Sequence, residues 1–94
     1  MGALKVPKKV RKLPNKFVAS EVDGELILIH GDSGEFFALT DIGLEIWRLL
    51  DEEHDVVAIA DRLVSIYDVS QAECERDVRE FASQIVDVGF AEAA

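Results

Sequence analysis

Val22-Asp23-Gly24-Glu25-Leu26-Ile27-Leu28-Ile29-His30, residues 22–30, decides the fold of this chain. Asp23-Gly24 supplies the two positive-φ positions of a type I′ hairpin turn. It stands between an extended-looking segment, residues 16–22, and four apolar residues in succession, which imply burial on both faces as in a central strand. Gly31-Asp32-Ser33-Gly34 has the composition of a second reversal, and residues 35–39 (EFFAL) read as a third strand. Two hairpins in series make an antiparallel meander, and one edge of its third strand stays open.

The period then changes from two to 3.6. Thr40 is placed to cap a helix over residues 41–50, with Ile42, Ile46, Leu49 and Leu50 in an apolar stripe that Trp47 widens. After a polar connection at 51–55, Val56, Ile59, Ala60, Leu63 and Val64 repeat at helical spacing. Ser70-Gln71-Ala72-Glu73 matches a capping box and opens the longest helix. Its positions Cys74, Val78, Phe81, Ile85 and Val88 step by four and three, Ala82 and Val86 broaden the face, and Gly89 offers the stop. The expected fold class is α+β and winged-helix-like: a three-stranded antiparallel β-meander followed by three α-helices.

Ninety-four residues hold one domain with a single modest core. Residues 1–15 carry two prolines and neither hydrophobic period, so a flexible basic N-terminal arm is expected there, ahead of a folded domain over residues 16–94. Six of the ten basic residues lie in the first sixteen positions, although the whole chain has a net charge of −9. The body is therefore acidic and would repel nucleic-acid phosphates. No apolar run approaches the roughly 18 to 20 residues of a membrane span. The basic start is not followed by the apolar core of a signal peptide, so a cytoplasmic location without membrane attachment is expected. The single cysteine, Cys74, has no partner for an internal disulfide and suits reducing surroundings.

Catalysis would need a nucleophile with a base, or a metal cluster, and the candidates are His30, His54 and Cys74. Cys74 falls on the apolar stripe of the third helix and reads as a small buried hydrophobe. Neither histidine has a companion at ligand spacing. Gly31-x-x-Gly34 lacks the Lys-Ser/Thr of a phosphate loop and sits between two strands. The carboxylates at 51–55 read as solvated surface, as do Arg76, Asp77, Arg79 and Glu80 on the third helix, with partner contact left open for the residues on its shoulder. No catalytic, cofactor or metal site is expected.

What the architecture offers instead is the open edge, whose unpaired backbone groups suit an extended peptide. Phe36 and Phe37 point to opposite faces of the third strand. If Phe37 and Leu39 face the core, Phe36 and Ala38 line the other side as contacts for a partner. The register decides which, because a slip of one residue exchanges their roles.

At this point residues 22–28 (VDGELIL) and 33–40 (SGEFFALT), with Gly43, Ile46-Trp47 and Leu49-Leu50, resemble the PqqD-like proteins. The resemblance continues through Ile59-Ala60, Leu63, Tyr67-Asp68-Val69, Asp77-Val78, Phe81 and Val88-Gly89-Phe90. It implies a winged-helix-like, non-catalytic domain that binds the leader segment of a ribosomally made precursor peptide and delivers it to a modifying enzyme, such as a leader peptidase or other maturase. No cofactor is implied, and this chain resembles the free-standing members found with lasso-type or uncharacterised peptide clusters more than the quinone chaperone itself. In that family the leader adds as an antiparallel strand to the third strand, in a groove closed by the third helix. Carried over by position, the groove uses Glu35, Phe36, Phe37, Ala38 and Leu39 from the strand, and Asp77, Val78, Phe81, Ala82 and Ile85 from the helix.

Two other readings stay open. A winged-helix nucleic-acid-binding or regulatory protein has only the basic arm in its favour, since the third helix carries Glu73, Glu75, Asp77 and Glu80. A small enzyme would need a catalytic pair that the sequence does not offer. The open edge admits either a monomer or a weak edge-paired dimer.

Overall fold

The computed structural model describes residues 8–94, running β1 (Val10–Lys12), β2 (Phe17–Val22), β3 (Glu25–His30), β4 (Phe36–Leu39), α1 (Asp41–Leu49), α2 (Val56–Val64), α3 (Gln71–Val88) and β5 (Ala91–Ala93). The fold is α+β: β2, β3 and β4 form an antiparallel sheet in that order, followed by the three helices. Asp23 and Gly24 take φ of 49° and 81°, the pair of positive values that a type I′ turn demands. Register follows from that turn: Ala19 stands opposite Leu28, and Leu28 opposite Phe37. Leu28 is wholly buried in the middle strand, but Ile29 is 42% exposed, so the expected burial of the apolar run on both faces is corrected: the helices cover only one face of the sheet.

Each helix begins differently. Ser70 caps α3 as expected, its Oγ accepting from the Glu73 amide at 3.1 Å, while the hydroxyl donates to the Glu73 carboxylate at 3.3 Å. Thr40 holds the cap position of α1, but its side chain makes no capping bond. The cap that pattern reading passed over is Asp55, whose Oδ1 accepts from the Val57 and Ala58 amides at 2.9 and 3.2 Å. α2 packs along α3, and Ile59, Leu63, Val78 and Ile85 are all buried in the core.

Two residues after α3 lock the helical layer to the sheet. Gly89 takes φ of 96°, the left-handed conformation that ends a helix, and a Cβ there would lie 2.8 Å from His30 Nε2. Phe90, fully buried, meets Phe37 edge-on at 5.3 Å and Phe17 at 6.0 Å between ring centroids. His30 in turn holds the β3–β4 turn, its Nδ1 accepting from the amides of Asp32 and Ser33 at 3.2 and 3.3 Å.

The N-terminal segment corrects the expectation of a free arm over residues 1–15. Residues 1–7 lie outside the described residues, but 8–15 are pinned. Val10 pairs with Ala93, Arg11 with Glu92 and Lys12 with Ala91, so β1 and β5 form a second, two-stranded sheet. Val10 is wholly buried, its amide donating to the His54 carbonyl at 2.9 Å. Lys12 reaches Asp51 at 2.9 Å and lies 4.3 Å over the Trp47 ring. The physical reason is that one buried valine and a short ladder order this segment, and three-residue strands carry no periodicity to read.

Candidate functional site

Backbone direction along β4 follows from its pairing. The His30 amide donates to the Glu35 carbonyl at 2.8 Å, so the 30/35 pair is a hydrogen-bonded one. Antiparallel pairs alternate, which makes 28/37 and 26/39 hydrogen-bonded and leaves the N–H and C=O of Phe36 and Ala38 pointing away from β3, out of the open edge. Glu35 is no free edge residue, because its carbonyl serves His30 and its amide donates to Ser33 Oγ at 3.2 Å. Side chains alternate as well. Phe36 is 66% exposed and Ala38 is exposed, whereas Phe37 is half-buried against Phe90 and Leu39 is buried.

Between β4, α1 and α3 runs a groove. One hollow of ≈ 590 Å³ is bounded by Phe36–Thr40 on the strand side, Gly43 below, and Phe81 and Gln84 on α3. A second of ≈ 240 Å³ continues it along α1 and α3, past Ile42, Ile46, Asp77 and Glu80. Gly43, Phe81 and Gln84 border both, so the two hollows adjoin along α3.

Of the residues expected at the site, the structure brings Phe36, Phe37, Ala38, Leu39, Asp77 and Phe81 to this groove. Val78, Ala82 and Ile85 are corrected: all three are buried in the core and line neither hollow. These three positions, carried over from the family resemblance, belong to the apolar stripe of α3 that packs against the fold. The face over the groove is instead Asp77, Glu80, Phe81 and Gln84, a mixed set at the i, i+3, i+4, i+7 spacing of one helix side. In the sequence this set lies directly beside the apolar stripe of α3.

The residues considered for chemistry lie elsewhere. Burial pushes the Cys74 thiol above its ordinary pKa, with the carboxylates of Asp77, Glu75 and Asp61 adding to the effect, so little thiolate forms near neutral pH. His30 and His54 are engaged with backbone groups, His54 Nδ1 lying 3.1 Å from the Val10 carbonyl. Among the described residues there is no group of three or more acidic, histidine or cysteine side chains placed to hold a metal. No helix among them is long and apolar enough to cross a membrane. A larger hollow of ≈ 820 Å³ sits near the start of α2, but Lys8, Lys9 and Arg79 there face Glu53, Asp55 and Asp61, and Asp55 is already occupied in capping.

The family model described as coenzyme PQQ synthesis protein D (PqqD) matches residues 25–91. The chain belongs to the PqqD family. The matched span of this PqqD-family chain runs from the first residue of β3 to the first of β5, and so contains the open strand and the whole groove. A search of the curated proteins found no match. Among solved structures the chain is similar to TbiB1 in complex with the TbiA(beta) leader peptide, at 28% identity and a TM-score of 0.78, with 89% of this chain and 96% of that one covered. It is also similar to lasso peptide synthetase B1 complexed with the leader peptide, at 31% identity and a TM-score of 0.74, with 88% of this chain and 96% of that one covered.

Proposed function

We propose that this protein is a non-catalytic recognition module that binds the leader segment of a ribosomally synthesised precursor peptide, taking it up as an added strand on β4, and presents it to a modifying enzyme. The observation that carries this reading is the open edge of β4 over the groove, in a fold whose solved relatives were both captured with a leader peptide. An incoming strand meets two N–H and two C=O groups, at Phe36 and Ala38, without disturbing any existing ladder. Its alternate side chains would drop into the groove past Phe37, Leu39 and Phe81. The backbone bonds tolerate many sequences, and the side chains in the groove select among them.

The similarity to lasso peptide synthetase components favours a lasso-type pathway, with a leader peptidase or another maturase as the enzyme served, in the cytoplasm. The outer face of the sheet suits docking of such an enzyme. Register places Val18, Ile29 and Phe36 in one cross-strand row there, and they are 65%, 42% and 66% exposed. Nothing favours a nucleic-acid partner, since α3 presents the carboxylates of Asp77 and Glu80 beside the groove.

Isothermal calorimetry of the protein against the leader of each precursor peptide encoded beside it tests the proposal. One leader is expected to bind saturably with one-to-one stoichiometry and a negative heat-capacity change from buried apolar surface. Failure of every neighbouring leader to bind would remove the reading.

A further inference from the structure

Gly43 stands in the first turn of α1, at the junction of the two hollows, and borders both. Nothing in the fold asks for glycine at that place. It is not among the glycines with positive φ, so no left-handed backbone requires it. Packing does not require it either, because a Cβ built there would meet nothing nearer than Phe81 Cε1 at 3.8 Å, an ordinary contact. Glycine within a helix loses more backbone freedom on folding than alanine would. This contrasts with Gly89, where both the φ of 96° and the 2.8 Å approach to His30 exclude a side chain.

What the missing side chain does provide is depth in the groove. We infer that Gly43 is a specificity-determining position: the space above its Cα seats one bulky apolar side chain of the bound peptide. The inference rests on the reading of the groove as a peptide site and adds to it the size and chemistry of an anchor. A strand paired to Phe36 and Ala38 sends every second side chain to the helical side of the sheet, the side on which Phe37 and Leu39 lie. Such a side chain meets Phe37, Leu39 and Phe81 around the open floor at Gly43, with Gln84 at the rim. The rings of Phe37 and Phe81 and the Leu39 side chain give the seat its apolar part, with Thr40 and Gln84 as its polar neighbours, so burying an aromatic or a long aliphatic chain there is favourable.

The consequence is that stability and binding respond in opposite directions. Gly43→Ala is expected to leave the melting temperature equal or a few degrees higher, from better helix propensity, while narrowing the seat. A displayed library of random dodecapeptides, selected separately on the wild-type protein, Gly43→Ala and Gly43→Leu, reads the seat directly. Wild type is expected to enrich peptides with one position confined to Phe, Tyr, Trp, Leu or Met. Gly43→Ala shifts that position to smaller residues, and Gly43→Leu removes the preference. A synthetic peptide selected on wild type should bind Gly43→Ala at least about tenfold more weakly, since one methyl group in a filled pocket is worth that much. Trimming its anchor to alanine should then cost the wild type more than the variant. Enrichment of one shared consensus on all three proteins, with affinities unchanged, would overturn the role of Gly43 and leave the groove standing as a peptide site. Failure to enrich any sequence on the wild type would overturn both. Gly43→Ala keeps the test valid if the leucine variant does not fold.

Discussion

Ala38→Pro is expected to abolish leader binding while the domain remains folded. The Ala38 amide points out of the open edge, so its loss removes no bond of the β3–β4 ladder. Proline is tolerated on an edge strand when its missing N–H faces solvent. For an incoming strand the same change deletes one of two available donors and sets a ring where the guest backbone must approach. The lost bond alone is worth about 1 kcal/mol, and the obstruction spoils the neighbouring pair at Phe36, so a weakening of at least about thirtyfold is expected. A matched control lies across the sheet. In β2 the pairs 20/27 and 18/29 carry the bonds to β3, which leaves Ala19 facing the opposite edge. Ala19→Pro makes the same chemical change at an edge with no groove beside it, and should bind the leader with wild-type affinity. Calorimetry on the two variants, with circular dichroism to check their folding, separates edge pairing from any general effect of proline. Equal losses in both would place the peptide elsewhere.

The second large effect concerns stability. Phe90 is fully buried and touches the rings of Phe17, Phe37 and His30, so it joins β2, β3 and β4 to the end of α3. Phe90→Ala leaves a cavity among three rings and should cost about 3–5 kcal/mol. In a domain whose whole stability is about 5–15 kcal/mol, that is a large share of it. The melting temperature is expected to fall by about 15–30 °C. Because Phe37 rests on Phe90, the register and tilt of β4 loosen with it, and leader affinity should fall as well even where the variant is still folded. Thermal unfolding followed by circular dichroism checks the first effect. A drop of only a few degrees would mean that the ring cluster collapses to fill the space.

Much of this architecture is legible in the residues, for identifiable reasons. Asp23-Gly24 can hardly be anything except a tight turn, and the apolar run from Leu26 to Ile29 then has to be the middle of the meander. Ser70 and Glu73 mark the start of α3 because two orphan amides at a helix end need acceptors. The pairing of β1 with β5 was not legible. Its partners, such as Val10 and Ala93, stand at opposite ends of the chain, and neither Val-Arg-Lys nor Ala-Glu-Ala shows an alternation long enough to count. Asp55 was hidden as a cap because it closes a run of acidic residues that reads as plain surface.

The candidate site divides in the same way. Period two along β4 separates Phe36 and Ala38 from Phe37 and Leu39, and the exposures follow that division. The helix side was harder. Position within the family pattern pointed to Val78, Ala82 and Ile85, which lie on the core face of α3, whereas Glu80 and Gln84 are the residues that border the hollows. Gly43 was among the residues that carry the family resemblance, but a residue without a side chain shows no role of its own in a pattern of side chains. Its part becomes visible only when the space above it is seen.

Amide hydrogen exchange, read residue by residue by nuclear magnetic resonance with and without bound leader, bears most directly on strand addition at β4. The Phe36 and Ala38 amides are expected to exchange rapidly in the free protein and to become protected by at least about tenfold on binding, as each enters a new ladder bond. The Ala19 and Glu21 amides at the other edge should not change. Protection of Ala19 and Glu21 with Phe36 and Ala38 still exchanging freely would contradict strand addition at β4.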